Sequence, residues 1–315
     1  MLSRREWLSL TLATGAAAVL DRAWLSAQQP LLTRTIPAGS ERIPIVGLGS
    51  SATFSQVARK DDVTAISEVL KAMVSGGGTV FDTAPGYGAS EEVAGRVAGT
   101  LGYTDRIFWA TKVNVAGFGG GSANPTAARQ QIDQSFTRLK KARIDLIQVH
   151  NLGDVPTQLA ILKELKQQGR IRYIGVTTTF DQQYSQIVDI MKREPLDFIG
   201  IDYAIDAREA EETIMPVAQE RKVAVMVYQP FGRTRLWNRV GGQPVPDYAK
   251  EFDATTWAQF FIKFVASHPA VTVVTPATSQ AKNMTDNLGG GRGRLPDAAM
   301  RKRMIATIDA LPAAR

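Results

Sequence analysis

The chain has 315 residues, 44% of them hydrophobic and 21% charged, an ordinary globular composition with length for a large core. It holds no cysteine and only two histidines, His150 and His268, which excludes disulfides, a thiolate zinc site and a Cys nucleophile, and argues against any multi-histidine metal centre. The formal net charge is +7, yet no basic run is interleaved with aromatic residues, so nucleic acid is not an expected partner, whereas a polyanionic small molecule such as a dinucleotide suits a basic surface.

The N-terminal stretch stands apart from the rest. Ser3-Arg4-Arg5-Glu6-Trp7-Leu8 places paired arginines ahead of a mildly apolar run over residues 8–20, shorter than the ~20 residues needed to span a bilayer. Small residues and an Ala27-Gln28 junction follow. Residues 1–27 resemble a twin-arginine export signal, which implies the export machinery as a partner, a cytoplasmic precursor, a periplasmic or exported product and no stable membrane insertion after cleavage. An uncleaved anchor and an ordinary amphipathic helix are the alternatives. Residues 28–315 read as a single domain.

From residue 43 onward, short apolar runs alternate with amphipathic patterns. The runs at 43–49, 79–82, 107–112, 145–150, 173–177, 198–203, 223–228 and 271–275 predict eight strands. Helices are predicted over 62–74, over 125–139 with Asn124 as cap and Pro125 in the first turn, over 155–168 ending at Gly169, and over 183–193, 209–221, 256–267 and 296–311. Eight such units with near-continuous apolar strands argue for a closed α/β barrel, the (β/α)8 or TIM fold, with an open doubly wound sheet as the alternative. Residues 32–43, with Ala38-Gly39-Ser40 in the middle, predict a hairpin that closes the barrel floor. Longer segments at 114–123, 231–251 and 289–294 are read as loops, the first two on the strand-exit rim. Phe54, Phe118 and Trp237 are read either as pocket lining or as loop packing. Gly47-Leu48-Gly49-Ser50-Ser51-Ala52 fits the dinucleotide fingerprint G-x-G-x-x-A, but that motif needs a helix opening at once, and the next clear helical pattern begins near Asp61.

Polar residues recur where the apolar runs stop. The second strand ends in Asp82, and Pro85, Gly86 and Gly88 then force a tight loop that presents Tyr87; the third ends in Lys112 and the fourth in His150. In a barrel these positions share one mouth. Each has a dull explanation taken singly, such as a helix-capping Asp or a solvent-facing Lys, but four ionisable groups at one opening form a catalytic set. A phenol of ordinary pKa ~10 is a poor acid near neutrality. Lys112 would lower it, Asp82 would hold Lys112, and His150 would orient a carbonyl oxygen or assist the proton transfer. Tyr87 is then the general acid for an oxyanion. The partner nucleophile is not an obvious side chain; a nicotinamide hydride would serve. His268, in Ser267-His268-Pro269, is read as structural.

Asp82, Tyr87, Lys112 and His150 match the catalytic tetrad of the aldo/keto reductases in type, order and placement. The phrases Phe81-Asp82-Thr83-Ala84, Thr111-Lys112, Val149-His150, Ile174-Gly175-Val176, Val227-Tyr228-Gln229-Pro230-Phe231-Gly232 and Asp286-Asn287-Leu288 also resemble that family, over roughly residues 32–312. The resemblance implies a barrel that binds NADP(H) without a Rossmann fold and reduces aldehydes or ketones. It further implies that Gly49 and Ser50 lie beside the cofactor ribose and that Tyr228 stacks on the nicotinamide. Gln229, Phe231 and Gly232 approach the pyrophosphate, Thr278 contacts a 2′-phosphate, and Asp286 and Asn287 contact adenine. Thr177 and Thr178 stand where the family usually has Ser-Asn holding the carboxamide, and Gly200 where it has Gln. Ala277 replaces a frequent Lys and Asn283 an Arg, with Lys282 or Arg292 as substitutes. These changes weaken the preference for NADP(H) over NAD(H), because charge-assisted phosphate bonds are the strong ones. Two other readings are a cofactor-binding sensor with little turnover and an aldolase using Lys112 as a Schiff-base nucleophile.

Overall fold

The structure is a computed structural model describing residues 29–117 and 121–312; the segment read as an export signal, and Phe118, lie outside the described residues. Strands β1 (Thr33–Thr35) and β2 (Arg42–Pro44) form an antiparallel hairpin. Its Ile36 and Ile43 pack into the same buried cluster as Val80, Leu146 and Met226, so the hairpin plugs the barrel floor as the sequence predicts.

Eight strands then pair in parallel and in chain order: β3 (Leu48–Gly49), β4 (Val80–Asp82), β5 (Phe108–Val113), β6 (Ile144–Val149), β7 (Ile171–Thr178), β8 (Phe198–Asp202), β9 (Ala224–Tyr228) and β10 (Val271–Val274). Bridges Val46–Val274 and Gly49–Ala277 join first to last, with Gly47 N–H donating to the Val274 carbonyl at 2.9 Å and Gly49 N–H to that of Pro276 at 3.0 Å. The sheet is closed, which rules out the open doubly wound alternative. Strands β5 and β6 are buried along their whole length, as a sheet covered on both faces requires.

The outer layer comprises α1 (Thr53–Arg59), α2 (Val63–Ser75), α3 (Ser90–Thr100), α4 (Pro125–Leu139), α5 (Val155–Gln167), α6 (Tyr184–Arg193), α7 (Ala210–Thr213), α8 (Met215–Glu220), α9 (Arg235–Val240), α10 (Trp257–Ser267), α11 (Ala281–Gly289) and α12 (Ala298–Asp309). Asn124 caps α4 by accepting from Ala127 N–H at 3.0 Å, with Pro125 in the first turn. The single helix expected over 209–221 is two, because Pro216 has no N–H to donate into a continuous helix. Four helices escape the sequence pattern: α1, α3, α9 and α11. The first is a correction of substance. A helix does open directly after Gly47–Ala52, at Thr53, so the fingerprint fails not for want of a helix but because its strand is closed between β4 and β10 in a barrel. The segment 289–294, read as a loop, follows α11. It lies beside the floor hairpin, where Leu32 N–H donates to the Gly291 carbonyl at 2.8 Å.

Helix α3 is muted in sequence by Gly95 and Gly99, which carry no pattern and weaken helix propensity. The two glycines predict opposite responses. A Cβ on Gly95 would collide with the backbone carbonyl of Arg138, whereas one on exposed Gly99 meets the Lys140 side chain at 3.7 Å and the Thr104 hydroxyl at 3.9 Å, both ordinary contacts. Gly99→Ala is expected to raise stability by about 0.5–1 kcal/mol through helix propensity, and Gly95→Ala to lower it by roughly 1–3 kcal/mol through overpacking. Paired thermal melts check both signs.

Candidate active site

Strand alternation builds the site. Val80, Phe108, Leu146, Phe198, Ala224 and Met226 fill the barrel interior, and side chains two residues apart share a face. The positions that continue these interior rows toward the strand exits are Asp82 on β4, Ala110 and Lys112 on β5, Gln148 and then His150 after β6, Gly200 on β8, and Tyr228 on β9. The polar members of these rows therefore meet on top of the packed layers.

The centre is an ion pair. Lys112 Nζ lies 2.8 Å from both carboxylate oxygens of Asp82 and donates a third hydrogen bond, also 2.8 Å, to the Thr83 carbonyl. The two residues are 1% and 3% exposed, so the pair is dry. Burial raises the Asp82 carboxyl pKa, with Lys112 opposing. For Lys112 burial works against the cation, but Asp82 and Tyr87 outweigh it and the ammonium pKa stands above its ordinary value. Donation to both carboxylate oxygens requires Asp82 to be ionised. Two aromatic rings flank the ammonium, Tyr87 with its centroid at 5.1 Å and Tyr228 at 5.0 Å. The Tyr228 hydroxyl donates to Asp82 Oδ1 at 3.3 Å and accepts from Gln148 Nε2 at 3.0 Å. His150 packs edge-on against Tyr87, with ring centroids 5.8 Å apart.

Electrostatics assign protonation states. Burial and the Lys112 charge push His150 down to about 3, so the imidazole is neutral at physiological pH. The expectation that Lys112 lowers the pKa of Tyr87 is not met. Burial raises it, Lys112 pulls the other way, and the Asp82 carboxylate adds to the rise. Burial of the phenol outweighs the pull of an ammonium that the carboxylate partly offsets. Tyr87 therefore stays a protonated phenol.

Above these groups opens a cavity of about 950 Å³ at the strand exits, at the upper end of small-molecule sites. Of the residues singled out in sequence, Gly49, Asp82, Tyr87, His150, Thr177, Tyr228, Gln229, Phe231, Thr278, Asn283, Asp286 and Asn287 line it. Lys112 sits beneath it. Ser50 is fully buried below the mouth, its N–H donating to the Asp82 carbonyl at 2.9 Å. Thr178 is buried with its hydroxyl bonded to Gln183 Oε1 at 2.6 Å, and it is Thr179 that reaches the cavity. Gly232 closes a left-handed turn, its N–H donating to the Gln229 carbonyl at 2.8 Å, and this turn presents Arg233 to the cavity. Arg292 is excluded as a phosphate ligand: its guanidinium is bonded to the Gly76 and Gln29 carbonyls, away from the cavity lining. Phe54 is core, edge-on to Phe81 at 5.4 Å, while Trp237 lines the mouth. His268 accepts from Ala270 N–H at 3.2 Å at the other end of the barrel. Among the described residues no cluster of three His, Asp or Glu side chains is arranged to hold a metal.

Sequence reasoning missed Asn151, Arg233 and Trp257 in the lining. The only available signal was position: Asn151 directly follows the β6 histidine and Arg233 follows the Gln229–Gly232 turn.

Residues 45–307 match the model of the aldo/keto reductase family, and the chain belongs to that family. The aldo-keto reductase YhdN of Bacillus subtilis is 30% identical over 203 residues, a match spanning 62% of this chain and 60% of that protein. Two solved structures share the fold. An aldo-keto reductase from Klebsiella pneumoniae in complex with NADPH has a TM-score of 0.71 at 22% identity, covering 91% of this chain and 97% of that one. The holo form of AKR11C1 from Bacillus halodurans has a TM-score of 0.68 at 24% identity, covering 88% and 96%.

The depressed His150 carries a stability consequence. An unfolded histidine takes a proton near its ordinary 6.5, and the folded one only near 3. Between these values the unfolded state binds more protons, so His150 makes stability fall as pH drops through that window. His150→Gln is expected to show a shallower loss of stability from pH 6.5 to pH 4 in urea titrations.

Proposed function

We propose that this chain is an NADP(H)-dependent reductase of aldehydes and ketones, able also to use NAD(H). One observation carries the reading: a protonated phenol, Tyr87, stands at the floor of an open cavity between a buried ammonium and a neutral imidazole. His150 orients the carbonyl oxygen as a neutral hydrogen-bonding group. Tyr87 gives that oxygen its proton, and Lys112 steadies the phenolate left behind. A bound nicotinamide cofactor supplies the hydride to the carbonyl carbon.

The cavity's donor set supports a dinucleotide. Arg233 beside the left-handed turn suits phosphate, while Thr278, Asn283, Asp286 and Asn287 offer amides, a hydroxyl and a carboxylate to sugar and base. Asp286 is preset, its Oδ1 accepting from Thr256 at 2.9 Å and Gln259 at 2.8 Å. The Klebsiella relative with NADPH agrees in cofactor class. The aldolase reading loses ground here. A Schiff-base nucleophile needs a neutral amine facing substrate, and Lys112 is an ammonium with three acceptors beneath the cavity floor. Residues 1–27 are proposed as an export signal, so replacing Arg4 and Arg5 by Lys together should leave the precursor in the cytoplasm, as cell fractionation would show.

Tyr87→Phe should cut NADPH-dependent reduction by about 10²–10⁴-fold while leaving cofactor binding within twofold by fluorescence titration. Turnover retained in this variant refutes the mechanism. Tight NADPH binding by the unaltered chain, without turnover over a broad aldehyde panel, would favour the sensor reading.

A further inference from the structure

We propose that Tyr228 is a positioning residue for the Asp82–Lys112 pair, held in place by Gln148 and given its room by Gly200. The inference rests on the reductase reading for its meaning in catalysis, but its geometry stands apart from that reading.

Three observations converge. First, the Tyr228 hydroxyl is committed: it donates to Asp82 Oδ1 at 3.3 Å and accepts from Gln148 Nε2 at 3.0 Å, so the phenol bridges β6 and β4 across the barrel. A ring whose task was stacking alone has no need of a hydroxyl aimed at the catalytic carboxylate. Second, the pose depends on one missing atom. A Cβ on Gly200 would stand 2.5 Å from both Cε2 and the hydroxyl oxygen of Tyr228, so any other residue at position 200 would push the ring off Asp82. Third, Gln148 is fully buried and its Oε1 has no partner among the described residues. An orphaned buried carbonyl oxygen is destabilising, and a methionine of similar shape would avoid that cost. Among the described residues the one side-chain hydrogen bond of Gln148 goes to Tyr228.

The groups facing Asp82 and Tyr87 are Lys112 from β5, His150 beyond β6 and Tyr228 from β9, together with Gln148 as the uncharged neighbour. A donor on Asp82 disperses the carboxylate charge, and that charge is one of the two influences holding the Tyr87 proton on. Removing the donor concentrates the charge and makes Tyr87 a weaker acid. Tyr228 thus tunes the acid without touching it.

The test uses the full chain labelled with 3-fluorotyrosine, with the Tyr87 resonance assigned by its loss in Tyr87→Phe. In Tyr228→Phe the Tyr87 titration should move to higher pH by up to about one unit, the ceiling being what a hydrogen bond to a charged group is worth to Asp82 itself. In Gln148→Met it should move the same way by less, with no fall in melting temperature. In NADPH-dependent reduction of 4-nitrobenzaldehyde, Tyr228→Phe should lower kcat about tenfold and leave the KM for NADPH within twofold. An unmoved Tyr87 titration in both variants overturns the proposal, as does a fall in stability with no shift. Because the resonance is read without cofactor or substrate, an absent reductase activity would sink the functional reading and leave this one standing or falling on its own.

Discussion

The structure turns on one buried ion pair. Asp82 and Lys112 are taken out of water together, and neither could be there alone: removing one partner of such a pair costs about 3–5 kcal/mol because the other charge is stranded. The pair adds little to stability as such, since a well-packed apolar substitute would do as well. What it provides is a fixed, dry, nearly neutral couple under a cavity floor. Burial, with the ammonium adding to it, keeps His150 uncharged, and burial, with the carboxylate adding to it, keeps Tyr87 protonated. Both states are those a carbonyl reductase needs in the reductive direction, one group to orient and one to give a proton.

The barrel makes that pair possible through its alternation. Along β4, β5 and β6, every second side chain enters the interior, and each row is apolar until its last member. The floor hairpin and the apolar layers exclude water from below, and the cavity admits ligand from above. Desolvation of Lys112 is thus a product of strand register: Asp82 lies opposite Ala110, one interior step below Lys112, and Lys112 lies opposite Gln148.

Much of this was legible in the sequence, for identifiable reasons. Strands buried on both faces appear as short apolar runs, so all eight could be placed. The tetrad could be read because ionisable groups are rare at the ends of such runs. The balance of forces was not legible. Whether Tyr87 is pulled down by an ammonium or pushed up by burial depends on how fully Asp82 cancels Lys112, and that is a matter of 2.8 Å contacts. Nor does a sequence show which of two adjacent threonines turns inward. Thr178 is spent on Gln183 while Thr177 and Thr179 face the cavity, because the alternation of β7 carries one residue past the strand's end. Arg292 fails as a phosphate ligand for a similar reason: its partners, Gly76 and Gln29, lie more than two hundred positions away in the chain.

The rim itself is built to hold rather than to yield. After β6 the backbone takes left-handed conformations at Asn151, Leu152 and Asp154, and after β9 at Gln229, Gly232 and Arg233. Non-glycine residues keep such conformations only where their surroundings over-determine them. Here side-chain amides do so. Asn114 Nδ2 donates to the His150 carbonyl at 2.9 Å, Asn151 N–H donates to the Thr177 hydroxyl at 3.2 Å, and Gln131 and Gln158 fix the backbone at Asn114 and Val115. The imidazole is therefore aimed by the loop that carries it and by the Tyr87 ring packed edge-on against it, with no hydrogen bond to its ring among the described residues. Among the described residues no carboxylate stands behind this neutral histidine to raise its basicity, so its contribution to the reaction comes from where its ring points. Orientation fixed before substrate arrives is the form of catalysis such a group can supply. The strained turns at Asn151 and Leu152 are the structural cost of that orientation.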